Sequence, residues 1–100
     1  MIRSLLVLHA RPGRREELLR MLQALELRAL VANQHGFLDV EIATAADDES
    51  EVAIVSSWAS AELYERWLAG PAPTRLLSEV EGLLSGEPVS RIYHVADSVS

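Results

Sequence analysis

The sequence predicts an α+β fold, a four-stranded antiparallel sheet with helices packed on one face. Hydrophobic periodicity switches between strand and helix spacing in the order β-α-β-β-α-α-β. Breaks rich in Gly and Pro separate those segments at Pro12-Gly13, Gly36, Gly70-Pro71-Ala72-Pro73 and Gly86 to Pro88. The predicted strands carry apolar residues on both faces, which asks for cover on both sides of the sheet.

The first strand runs from Ile2 to His9, with Leu5 to Leu8 an unbroken apolar run. Pro12-Gly13 ends it, and Glu16 and Glu17 follow where a helix dipole favours anions. From Arg14 to Ala32 the spacing is helical: Leu18, Leu22, Leu25 and Ala29 form a stripe that Met21 and Leu30 widen. Asn33 and Gly36 are stop signals. Phe37 to Ala43 alternates, with Leu38, Val40 and Ile42 on a buried face and Asp39 and Glu41 opposite. Thr44 to Glu51 is a polar, acidic hairpin loop, and Val52 to Trp58 is the next strand.

Ser60 suits the N-cap of a helix from Ala61, on which Glu62 and Arg66 can pair at i, i+4. Gly70 to Pro73 breaks that helix. Thr74 to Ser85 forms another, with Leu76, Leu77, Val80, Leu83 and Leu84 as its apolar face. Val89 to Ala96 is the last strand, and Asp97 to Ser100 is a fraying tail. This order gives a ferredoxin-like sheet. Helices cover one side of it, and a second copy of the chain is the economical cover for the other.

The 100 residues form one domain, 1–100. The chain has no cysteine, which excludes disulfides, cysteine-ligated metal and a thiol nucleophile. A net charge of −6 argues against nucleic acid as a partner. All nine basic residues are arginine, a compositional bias with little functional content. No apolar run approaches the ~20 residues of a membrane span. The Met1 to His9 start is too short for a signal peptide, so a cytoplasmic protein is expected.

Both tryptophans and one tyrosine fall between Ser56 and Leu68, which makes that stretch the candidate pocket wall. Pro12-Gly13 before a charged helix, His35-Gly36-Phe37-Leu38 opening the second strand, and the spacing of Trp58, Ser60, Glu62, Tyr64 and Trp67 resemble the antibiotic-biosynthesis-monooxygenase (ABM) superfamily. The resemblance spans Ile2 to Ala96. It implies a dimeric α+β barrel in which each subunit keeps a pocket between its own sheet and helices. Members of that family include cofactor-independent monooxygenases that oxidise phenolic or quinol-like aromatics, enzymes that degrade haem, and proteins with no established reaction.

In the polyketide-modifying members, the resemblance implies that Trp58 and Tyr64 line the substrate pocket. An Asn of those enzymes is replaced here by Ile54. In the haem degraders, Trp67 matches a pocket tryptophan, but the iron-ligating His falls at Leu76 or Leu77 and a first-strand Asn at Leu6. The expected function is therefore a cofactor-independent monooxygenase acting on a small quinol or phenol with molecular oxygen, as a homodimer. A non-catalytic dimeric binding or accessory domain is the alternative, and haem binding the third reading.

Trp58, Tyr64 and Trp67 are the candidate catalytic wall, although core packing competes for each. Leu6, Ile54, Ser56 and Leu76 are candidate substrate contacts; Ile54, Ser56 and Trp58 share strand parity. His94 or Arg75 is the candidate for assisting proton transfer, against a structural or solvated role for each. Parity sends His9 to the opposite sheet face, and His35 falls in a turn. Asp47-Asp48-Glu49 with Glu51 reads as a solvated hairpin tip, and neither a cofactor nor a metal is expected.

Overall fold

The computed structural model describes residues 1–98. Four strands are present: β1 (Ile2–His9), β2 (Phe37–Thr44), β3 (Glu51–Trp58) and β4 (Val89–His94). They form one sheet in the order β2-β3-β1-β4, every pair antiparallel. This is the ferredoxin-like sheet that the order of periodicities predicts. The helices are α1 (Arg15–Ala24), α2 (Leu27–Val31), α3 (Ala61–Ala69) and α4 (Ala72–Val80), with a 3-10 turn at Glu81–Leu83. No helix among the described residues is long and apolar enough to cross a membrane.

The predicted single helix over 14–32 is in fact two. The chain turns at Glu26, whose φ of 50° is left-handed, an unfavourable conformation for a residue with a Cβ. Burial shows why. Leu18 and Leu22 keep the helical spacing, but the next buried residues are Leu27 and Val31. One residue is inserted at the break, so Leu27 and Val31 swing to the sheet while Ala29 and Leu30 face out. The stripe through Ala29 and Leu30 is thereby corrected.

Two further corrections concern local punctuation. Leu38 does not share the buried face of Val40 and Ile42: a register shift between Phe37 and Asp39 bulges it out, 51% exposed, and Phe37 takes the place opposite Trp58. Pro71 and Pro73 do not merely break a helix but open α4, where the first turn needs no intrahelical N–H donor. Helix α4 ends at Val80, earlier than expected, and β4 ends at His94. Asp97 and Ser98 lie outside regular structure, and the last two residues of the predicted tail fall outside the described residues.

The α3 start follows its sequence signals. The Ser60 hydroxyl accepts the Leu63 N–H at 3.3 Å, and Arg66 reaches Glu62 at 2.9 Å.

Packing divides into two clusters on the helix-covered face. The larger joins Leu8, Leu18, Leu22, Val52, Ile54, Leu76 and Val80. The smaller is aromatic and gathers Ile2, Trp58 and Tyr64, with Phe37, Ala61 and Trp67 against them. Among the described residues no helix covers the other sheet face, where Leu5, Val7 and Val55 are partly exposed and Val89 and Tyr93 are exposed.

Candidate functional site

A cavity of about 200 Å³ lies between the two clusters. Its floor is the sheet. Strand pairing sets Ser90, Leu6 and Ile54 in one cross-strand row, and Ser4, Ser56 and Val40 in the next. Phe37 and Trp58 close that end as a facing pair. Helix α2 contributes Leu27 and Val31, α3 contributes Tyr64, Trp67 and Leu68, and α4 contributes Pro73, Leu76 and Leu77. The extra residue at Glu26 is therefore what brings α2 to the cavity.

Trp58 is the hub of the aromatic wall. It is 1% exposed, and its ring meets Phe37 edge-on at 5.6 Å, Tyr64 tilted at 5.5 Å and Trp67 stacked at 6.1 Å. Core packing and pocket lining are thus not alternatives for this residue: it fills the smaller cluster and also faces the cavity. Strand parity accounts for this, since Ile54, Ser56 and Trp58 all point to the helix side and only the cavity separates the first from the last.

The polar side-chain atoms of the lining are the hydroxyls of Ser4, Ser56, Tyr64 and Ser90 and the indole nitrogens of Trp58 and Trp67. Ser4 donates to the Tyr64 hydroxyl at 2.9 Å, a buried bond across the sheet–helix interface. Trp58 Nε1 donates to Ser56 Oγ at 3.0 Å. Hydrogen counting then fixes what remains. Two hydroxyls bonded to each other share two hydrogens and use one, so the Ser4–Tyr64 pair keeps one donor. Ser56 accepts from the indole and keeps its own hydrogen. The site offers donors to a ligand oxygen in an otherwise apolar enclosure. No carboxylate, imidazole, guanidinium or amine lines it among the described residues, and Tyr64 is the one ionisable side chain.

The structure gathers Leu6, Ile54, Ser56, Trp58, Tyr64, Trp67 and Leu76 around this cavity. It does not bring His94 or Arg75 to it. His94 is exposed on β4 opposite Ile2, and Arg75 is exposed near the start of α4. His35 is exposed in the turn before β2. Sequence reasoning missed Ser4, although its parity with Leu6 and its place as a lone hydroxyl in an apolar strand were available signals. It also missed Phe37, which depends on the bulge, and Leu27 and Val31, which depend on the helix break.

Haem does not fit these residues. The cavity of about 200 Å³ is smaller than the ~300–1,000 Å³ of ordinary small-molecule pockets. No histidine, cysteine or methionine lines it among the described residues, and Leu76 and Leu77 present only hydrocarbon.

On the other sheet face, the fold assembles what the sequence keeps apart. His9 lies directly across from Glu51, with its Nε2 3.3 Å from Glu51 Oε1 and 3.9 Å from Asp48 Oδ2. The hairpin acids expected to be a free solvated tip are partly engaged with an imidazole. Spacing along the chain could not show this pairing, because it depends on the β1–β3 register.

Comparison with known proteins agrees with this architecture. The sequence profile of the family described as antibiotic biosynthesis monooxygenase matches residues 1–76. No curated protein matches the sequence. Among solved structures, a candidate antibiotic biosynthesis monooxygenase from Deinococcus radiodurans superposes with a TM-score of 0.81 at 16% identity, covering 100% of this chain and 97% of that one. Rv0793 from Mycobacterium tuberculosis gives 0.79 at 17% identity, with 99% and 98% covered. A point variant of SnoaB, a cofactor-independent oxygenase from Streptomyces nogalater, gives 0.74 at 14% identity, with 98% and 95% covered. At such identities the structural likeness speaks for the fold, and the profile match speaks for the family. The chain belongs to the antibiotic biosynthesis monooxygenase family.

Proposed function

We propose that this protein is a monooxygenase that uses molecular oxygen to oxidise a phenolic or quinol substrate of one or two rings, with no prosthetic group. The observation that carries the reading is the cavity itself: an aromatic and aliphatic enclosure in which the Tyr64 and Ser56 hydroxyls keep hydrogens to donate. Its size supports the ring count, since an apolar cavity of about 150 Å³ admits benzene.

A phenol can supply all the electrons. When a ring C–H becomes C=O, phenol plus O₂ gives quinone plus water, and the substrate gives up four electrons while O₂ is fully reduced. One oxygen atom enters the ring and the other leaves as water with the two hydrogens removed. The protein's part is to bind the ring, exclude water and favour the phenolate that reacts with oxygen. Tyr64, whose hydroxyl accepts from Ser4 and keeps its own hydrogen, and Ser56 donate toward the substrate oxygen, which stabilises its anion. Trp58, Trp67 and Phe37 hold the ring. With no carboxylate or imidazole in the lining, the proton departs on the strength of the substrate's own acidity.

Oxygen uptake over a panel of hydroquinones and dihydroxynaphthalenes tests this. The expected result is one O₂ consumed per substrate, with the quinone appearing by absorbance. Absence of uptake across the panel overturns it. The second reading is a binding domain without turnover, favoured by hydrocarbon at Leu6 and Ile54 where the family resemblance implies polar groups. Quenching of tryptophan fluorescence by the same compounds, without oxygen consumption, selects that reading.

The same proposal includes a homodimer. The support is the uncovered sheet face, where Leu5 pairs with Val55, Val7 with Val89, and Arg3 with Tyr93. A two-fold partner would bury that face.

A further inference from the structure

The group formed by His9, Asp48 and Glu51 takes no part in the cavity chemistry. Glu51 opens β3 and Trp58 closes it, which at about 3.3 Å per residue separates the two by roughly 20 Å. We infer that His9 Nε2, Asp48 Oδ2 and Glu51 Oε1 form a binding site for a divalent transition-metal ion, with zinc the best-fitting occupant.

One ligand atom from each of the three side chains lies within 4.8 Å of the other two. A zinc ion about 2.0–2.2 Å from each ligand needs donor atoms roughly 3.0–3.5 Å apart. The His9–Glu51 separation of 3.3 Å already meets that, and the His9–Asp48 separation of 3.9 Å needs to close by about half an ångström. One imidazole nitrogen with two carboxylate oxygens suits zinc better than calcium or magnesium, which take oxygen donors alone. Three protein ligands leave the remaining positions to water.

The donors are held by backbone that the sheet fixes. His9 and Glu51 are directly opposite in the β1–β3 ladder. The His9 carbonyl accepts the Ser85 N–H at 2.8 Å, and the Ala10 N–H donates to the Ser50 carbonyl at 2.8 Å. The second Asp48 oxygen is fully occupied: Oδ1 accepts the Ser50 N–H at 2.9 Å and the Ser50 hydroxyl at 2.8 Å. Those bonds tie down one side of the Asp48 carboxylate. They also leave Oδ2 facing His9, as outer-shell bonds orient ligands in metal sites.

Two carboxylates and one imidazole carry a formal charge of −2 with the histidine neutral. The nearby cation is Arg15, which donates to the Asp48 main-chain carbonyl at 2.9 Å rather than to the carboxyl group. A divalent ion would balance that charge. The competing occupant is a proton on His9, which would make the group an ion-pair cluster and nothing more.

The test uses the full chain, untagged and stripped with EDTA, titrated separately with zinc and magnesium chloride by calorimetry and followed by thermal unfolding. The expected result is one zinc per chain at micromolar or tighter affinity, a rise in Tm with zinc and none with magnesium. His9→Gln, Asp48→Asn and Glu51→Gln should each weaken zinc by about tenfold or more. His35→Gln and His94→Gln should leave it unchanged. All five positions are partly or fully exposed, so these variants are expected to fold, and circular dichroism checks that. No heat and no Tm shift with zinc overturns the inference. So does zinc binding that survives His9→Gln.

Discussion

The Ser4 hydroxyl and the Tyr64 hydroxyl, sixty residues apart in sequence, meet at 2.9 Å where β1 and α3 face each other across the cavity. Both residues are buried, at 4% and 5% exposure, so neither hydroxyl can turn to bulk water if the other is removed. Tyr64→Phe or Ser4→Ala therefore strands a buried polar group, at about 1–3 kcal/mol of stability. The double variant removes both partners and should cost less than the two singles added. Urea unfolding of the four proteins measures this. In oxygen uptake, Tyr64→Phe should also lower kcat about a hundredfold, because it deletes the phenol that donates to the substrate oxygen.

Gly36 illustrates how tightly that helix is seated. Its φ is +88°, and a Cβ there would lie 2.5 Å from Leu63 Cδ1 and 2.7 Å from Leu63 Cβ. The Gly36 carbonyl also accepts the Ala59 N–H at 2.8 Å, just ahead of α3. Gly36→Ala adds left-handed strain of about 1–2 kcal/mol and pushes the first turn of α3 outward. The clash involves the root of the leucine, so a rotamer change cannot relieve it. A total loss of about 2 kcal/mol or more is expected in denaturant titration. Pairing the change with Leu63→Ala removes the Cδ1 and Cγ contacts but keeps the 2.7 Å contact with Cβ, so it should recover only a small part of the loss.

Most of the fold was readable in the sequence because strand alternation, the Ser60 cap and the Gly and Pro breaks are local signals, and the structure obeys them. The cavity was half readable. Ile54, Ser56 and Trp58 share parity along one strand, and Tyr64 and Trp67 share a helix face, so their convergence follows from periodicity. The rest depends on events without a local signature. Glu26 adopts a left-handed φ where neither Gly nor Asn announces it, and only tertiary packing of Leu27 and Val31 against the sheet selects that break. The bulge at Leu38 trades it for Phe37 in the same way. His9 and Glu51 meet only once the register of two strands is fixed.

The uncovered sheet face makes a separate prediction about assembly. Val7 and Val55 are half-buried there, flanked by Leu5 and by exposed Tyr93 and Val89. A carboxylate at position 55 would sit beside Glu41 on β2 and lose water in an interface, which disfavours association. Wild-type protein is expected to sediment as a dimer at micromolar concentration. Val55→Glu should shift it to monomer while leaving the far-ultraviolet circular dichroism intact. A wild-type monomer at that concentration would contradict the proposed pairing.

Cavity size should control which ring systems react. Val40 sits on β2, half-buried, with its side chain in the floor row beside Ser56. Phenylalanine at this position keeps a strand-favouring residue and points its ring into the space a second substrate ring would fill. Val40→Phe should therefore depress kcat/KM for dihydroxynaphthalenes about tenfold or more, since overpacking a filled site costs about 1–3 kcal/mol. One-ring hydroquinones should be affected much less, because the Ser56 and Tyr64 hydroxyls that receive the substrate oxygen are untouched. The ratio of the two kcat/KM values is the measurement, and it cancels any general loss of folded enzyme. An unchanged ratio would place the substrate outside this cavity, and the assignment of the site would fall with it.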